Sequence, residues 1–151
     1  MSEAFTVYLR SGEKTLLMQR SDEVADFPGA WDGIYGIGDP SSLEVVISRI
    51  TECTGIEPDN LQYVRSGKAR GLEFGNRLND VTPMLFVTGE SGVVNGALYK
   101  NHEWIDPGKI KDKKYSTPQL REMYGDVASY LYILKTSIGQ EQNVASEIRA
   151  R

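Results

Sequence analysis

Runs dominated by apolar and β-branched residues cover Phe5 to Arg10 and Thr15 to Gln19, with the polar, glycine-containing run Ser11-Gly12-Glu13 between them. That pattern predicts two strands joined in a hairpin. A polar loop over 20–30 closes on Phe27-Pro28-Gly29, and a glycine-rich loop carries the chain from Trp31 past Gly33, Gly36 and Gly38 to Asp39-Pro40. From Ser41 to Thr54 the period changes. Leu43, Val46, Ile47, Ile50 and Cys53 recur at the three- and four-residue spacing of one buried helix face. Ser41 or Ser42 is placed to cap the first turn through its side chain, and Gly55 stands where a left-handed C-terminal cap belongs. Three strand-like runs follow, over 61–69, 82–88 and 97–105, with loops rich in Gly, Asn and Asp between them. Pro107-Gly108 ends them. The basic loop 109–114 then leads to a second helix opening near Pro118, a residue suited to a first turn. The order predicts an α+β domain, a mixed α/β sandwich whose sheet is flanked by a central and a C-terminal helix.

Composition narrows the setting. At 151 residues the chain is long enough for one domain with its own core. The net charge of −4 gives no global attraction to a phosphate backbone. The single cysteine, Cys53, can form neither an intramolecular disulfide nor a cysteine-based zinc site. The first residues lack a basic stretch leading into an apolar core, and no run approaches the ~20 apolar residues of a membrane span. A reducing cytoplasm is the expected location, with no membrane contact.

Three separated segments carry a resemblance to the Nudix hydrolase superfamily, the MutT-like proteins. FPGAWDGIYGIGD resembles the approach to the signature loop, SSLEVVISRITECTGI the signature helix with its closing Thr-Gly-Ile, and HEWIDPGKI the segment before the last helix. The likeness spans about residues 4–128 and implies a Nudix-like domain over 1–128, with 129–151 as an extension. It also implies a chemistry. The family pattern, G-x5-E-x7-R-E-U-x-E-E-x-G-U with U a bulky apolar residue, places glutamates on one helix face. There they hold Mg²⁺ or Mn²⁺ against a substrate diphosphate and activate a water.

Aligned on Gly55, this sequence departs from that pattern. Ser48 takes the place of the arginine, Arg49 that of the first helix glutamate, and Cys53 that of the last; Pro40 falls on the loop glutamate and only Glu52 survives. A guanidinium one turn from Glu52 can pair with it and puts positive charge where the metal would sit. The box is degenerate, no metal ligand set is assigned, and Mg²⁺ is a cofactor only if activity persists. Glu52 is the one catalytic candidate, and Arg49, Trp31 and Trp104 are substrate-binding candidates. For the two tryptophans, core packing is the competing use.

Other residues read more plainly. Cys53 ends the apolar stripe and is expected to be a buried core thiol; His102 is expected on a strand surface. The glycine run lacks the Lys-Ser/Thr of a P-loop. Lys109, Lys111, Lys113 and Lys114 make the only basic cluster, a place for nucleic acid or a solvated loop. The tail YLYILKTSIGQEQNVASEIRAR is similar to the opening of the N-terminal domain of NusG-type transcription elongation factors, through Lys135, Thr136, Gly139, Glu141, Val144 and Ala145. Three functions stay open. The first is a non-hydrolytic module binding a nucleotide or protein partner, linked to transcription elongation. The second is an Mg²⁺-dependent hydrolase of nucleoside diphosphate-linked substrates using Asp39, Glu44, Glu73 or Glu103 with Glu52. The third is a structural remnant that mediates oligomerisation or spaces domains.

Overall fold

A computed structural model of the chain describes residues 2–74, 77–90, 99–113 and 116–127. The extension 129–151 lies outside them, so its strand, helix and domain assignment rest on sequence alone.

The expected hairpin forms from β1 (Ser2–Ser11) and β2 (Lys14–Arg20), but the two strands pair only at the turn, Arg10 with Thr15 and Ser11 with Lys14. Beyond that they diverge. The far edges of β1 and β2 are taken by β7 (Arg77–Thr88), which is parallel to β1, and β8 (Tyr99–Ile105), which is antiparallel to β2. Into the gap between them come β3 (Trp31–Asp32), paired with β2, and β4 (Ile34–Ile37), paired with β1. The glycine-rich run expected as a loop is therefore partly strand, because two diverging edges offer it backbone partners. Gly33 makes this wedge possible. A Cβ there would lie 2.4 Å from the Val7 carbonyl oxygen and 3.0 Å from the Tyr8 ring.

The outer edge of β7 carries β5 (Gln62–Ser66) and β6 (Arg70–Phe74) end to end. The sequence pattern predicts one strand over 61–69 and a loop after it, whereas the structure has β5 and, in place of the loop, β6. Its Gly, Arg and Glu content conceals a strand held mainly by pairing with β7. Short 3-10 turns cover Pro58–Asn60 and Pro107–Asp112.

Helices close both faces. α1 (Leu43–Thr54) buries Val46, Ile50 and Cys53 against Phe5, Val7, Leu9, Met84 and Phe86. The second helix, α2, is helical over 118–127 and buries Leu120, Tyr124 and Val127 against Tyr8, Leu17 and Leu85. Odd and even positions of β1 thus serve opposite cores, the period-2 consequence of a strand buried on both faces. The end of α1 behaves as its sequence predicts: Gly55 has φ 75° and its amide donates to the Thr51 carbonyl at 2.8 Å. The buried Thr54 hydroxyl donates back to the Ile50 carbonyl at 2.7 Å and accepts from the Ile56 amide at 3.1 Å. The start differs. Ser42 makes no side-chain cap; the Ser41 hydroxyl donates to the Asp39 carboxylate at 2.7 Å. Leu43, expected on the buried stripe, is exposed, and burial begins at Val46.

Candidate functional site

Two clefts open beside α1, and Arg49 is shared by both. The larger, about 400 Å³, is lined chiefly by Arg20, Val24, Tyr35, Arg49 and Tyr99. The smaller, about 360 Å³, is lined by Phe5, Glu44, Val45, Ser48, Arg49 and Glu52. Gly36 and Ile37 of β4 line both. Gly36 sets the separation of strand and helix: a Cβ there would come within 2.4 Å of Phe5 Cζ and 3.1 Å of Arg49 Cγ.

Arg49 is held on two sides. Its Nε donates to the Tyr35 carbonyl at 2.9 Å, and one terminal nitrogen donates to Glu52 Oε1 at 3.1 Å. The side chain of Arg49 is 19% exposed and that of Glu52 63%, so the carbonyl bond is the better sheltered anchor. Tyr35 joins the parts of the larger cleft. Its amide donates to the Tyr99 hydroxyl at 3.3 Å, its hydroxyl accepts from Asn79 Nδ2 at 3.1 Å, and the Arg20 guanidinium lies 5.9 Å from its ring centroid. Arg20 Nε donates to the Asp26 carbonyl at 2.8 Å. Burial pushes the Tyr99 hydroxyl up to about 12, and raises Tyr35 against the opposing hydrogen bond from Asn79. Both phenols are therefore neutral hydrogen-bonding groups at neutral pH.

Of the sequence candidates, Arg49 and Glu52 come together here. Trp31 sits with the α2-side core, and the Lys113 ammonium lies 4.0 Å from its ring centroid. Trp104 packs, half buried, on the α1-side core. Neither tryptophan lines either of these two clefts. His102 is exposed on β8, and Cys53 is buried, its thiol pushed up to about 11 by burial, with Arg49 opposing and Glu52 reinforcing the shift. Lys113 is also paired with Glu103.

These side chains do not fit the Mg²⁺ that the sequence resemblance implies. Among the described residues no three His, Cys, Asp or Glu side chains converge where they could hold a metal. The Cys53 thiol is neutral and soft, a poor partner for Mg²⁺. Asp39 accepts from the amide and hydroxyl of Ser41 at 2.9 and 2.7 Å. Glu44 lies eight residues before Glu52, roughly 12 Å along the helix axis at ~1.5 Å per residue.

Sequence reasoning missed Arg20, Tyr35 and Tyr99. Arg20 and Tyr99 are paired across β2 and β8, and Tyr35 reaches them only because β4 enters the gap between β1 and β2. No spacing within the sequence encodes that meeting.

No family model and no curated relative matches this sequence. Solved structures do. A MutT protein from Methanosarcina mazei Go1 is 20% identical, with a TM-score of 0.64 over 80% of this chain and 88% of that one. An Ap4A hydrolase from C. elegans gives a TM-score of 0.68 at 16% identity, over 87% and 98%. The Nudix domain of Shewanella oneidensis NrtR, solved with ADP ribose, gives 0.65 at 13% identity, over 87% and 88%. At such identities the likeness concerns the fold, and the fold is Nudix-like.

Proposed function

We propose that this chain is a non-hydrolytic Nudix-fold module that binds a nucleotide at the clefts beside α1. The observation that carries the reading is Arg49. In the register that the sequence resemblance implies, Arg49 falls on the first metal-binding glutamate, and its guanidinium is held by the Tyr35 carbonyl and by Glu52. Cation repels cation, and one exposed, already paired carboxylate is a weak ligand set for a hard divalent ion. The neighbours support the ligand class: one is an Ap4A hydrolase, and another was solved with ADP ribose. Fold by itself does not carry function, so the reading rests on the side chains.

The test is incubation of the chain with Mg²⁺ or Mn²⁺ and a panel of nucleoside diphosphate derivatives. No turnover is expected, together with thermal stabilisation by a nucleotide, since a ligand that binds only the folded state raises apparent stability. Turnover abolished by Glu52→Gln would sink the proposal.

The sequence supports two further proposals. The likeness of 135–145 to a NusG-type domain supports a tether to transcription machinery, tested by whether RNA polymerase retains the full chain and loses it on deletion of 129–151. A nucleic-acid contact through Lys109, Lys111, Lys113 and Lys114 is weaker support for the same setting, because Lys113 is engaged with Glu103 and Trp31.

A further inference from the structure

Arg20 belongs to none of the motifs that suggested the fold, yet it faces the same cleft as Arg49. We propose that Arg20 and Arg49 form a metal-free clamp for the phosphate of a mononucleotide, whose base and sugar lie against Val24, Ile37 and Tyr99. This rests on the non-hydrolytic reading and names the ligand and the cation that replaces the metal.

The two guanidiniums are prepared in the same way. Each is anchored through Nε to a main-chain carbonyl, Arg20 to Asp26 at 2.8 Å and Arg49 to Tyr35 at 2.9 Å. Anchoring at Nε fixes the plane of the guanidinium and leaves terminal N–H groups to meet other acceptors. Among the described residues the terminal nitrogens of Arg20 have no hydrogen-bond acceptor, and those of Arg49 have Glu52 on one side. Such preset forks match the oxygens of a phosphate and give up little side-chain entropy on binding.

Charge points the same way. Among the described residues, the larger cleft is lined by two cations and no carboxylate; both lining acids, Glu44 and Glu52, belong to the smaller one. A volume of about 400 Å³ lies within the range of small-ligand pockets. Its remaining walls are apolar or aromatic, suited to a base rather than to a second charged group.

The experiment is calorimetric titration of the full chain in EDTA with AMP, inorganic phosphate, pyrophosphate and adenosine. AMP is expected to bind, inorganic phosphate more weakly, and adenosine not at all. Arg20→Met should weaken AMP binding by about tenfold or more, the loss expected for a charged hydrogen-bonding partner, and Arg20→Lys should recover little of it because a fork is needed. Arg20→Gln with a melting curve guards against a variant that fails to fold. The clamp is overturned if AMP does not bind in EDTA, or binds as well to a folded Arg20→Met chain. Equal binding of AMP and inorganic phosphate overturns the nucleotide assignment. Mg²⁺-dependent turnover would instead remove the non-hydrolytic reading, so the two failures are distinguishable.

Discussion

Asp32 is fully buried on β3, under the start of α2, and carries a pH-dependent cost. Its Oδ1 accepts from the Gly33 amide at 2.7 Å and from the Thr6 hydroxyl at 3.4 Å; Oδ2 makes no well-formed hydrogen bond. Burial pushes the carboxyl from its ordinary 3.8 up to about 6, opposed by the Gly33 amide, the nearby Thr117 hydroxyl and the distant positive charge of Arg20. The folded state therefore holds a proton that the unfolded state has released between about pH 4 and 6. Stability falls as pH rises through that window, and above it the whole cost is present. At about 1.4 kcal/mol per pH unit the cost is on the order of 3 kcal/mol. Asp32→Asn removes the charge, keeps the Oδ1 acceptor, and places an amide donor where Thr117 can receive it. At pH 7.5 the variant should be more stable by up to about 3 kcal/mol, roughly 6–12 °C in Tm at ~2–4 °C per kcal/mol for a chain of this length. By pH 4 the two should converge. Thermal denaturation of both proteins from pH 4 to 8 measures the difference, and other titrating groups cancel in it. If the gap does not change with pH, or the variant is the less stable at pH 7.5, the carboxylate is satisfied by the α2 N-terminus and the burial argument is wrong.

Three other outcomes follow from the same geometry. Gly36→Ala forces a Cβ to 2.4 Å from Phe5 Cζ; unfolding by urea should show a loss of about 1–3 kcal/mol, and AMP affinity should drop with it because Arg49 is displaced. Arg49→Met should cost about 1–2 kcal/mol through the half-buried bond to Tyr35, whereas Glu52→Gln, which breaks an exposed ion pair, should cost under ~0.5 kcal/mol; equal losses in chemical denaturation would contradict the assignment of Tyr35 as the main anchor. Cys53, 3% exposed with its thiol pushed up to about 11, should resist alkylation at pH 8 in the folded chain and react promptly in urea; fast labelling of the native protein would refute its burial.

Some of this protein was written locally. The apolar spacing of α1 and its Thr54-Gly55-Ile56 ending are properties of short stretches, since helix periodicity and left-handed caps are set by neighbours a few residues apart. The tertiary structure decided the rest. That the glycine-rich run becomes β4 depends on β1 and β2 parting after Arg10 and Thr15, and β6 exists because β7 offers it an edge. The cleft gathers Arg20, Tyr35, Arg49 and Tyr99 from four elements, and buried Asp32 meets Thr117, more than 80 residues away in sequence. Side-chain chemistry is legible residue by residue. Which side chains share a cleft, and which charge loses its water, depends on long-range strand pairing and helix packing that no local pattern encodes.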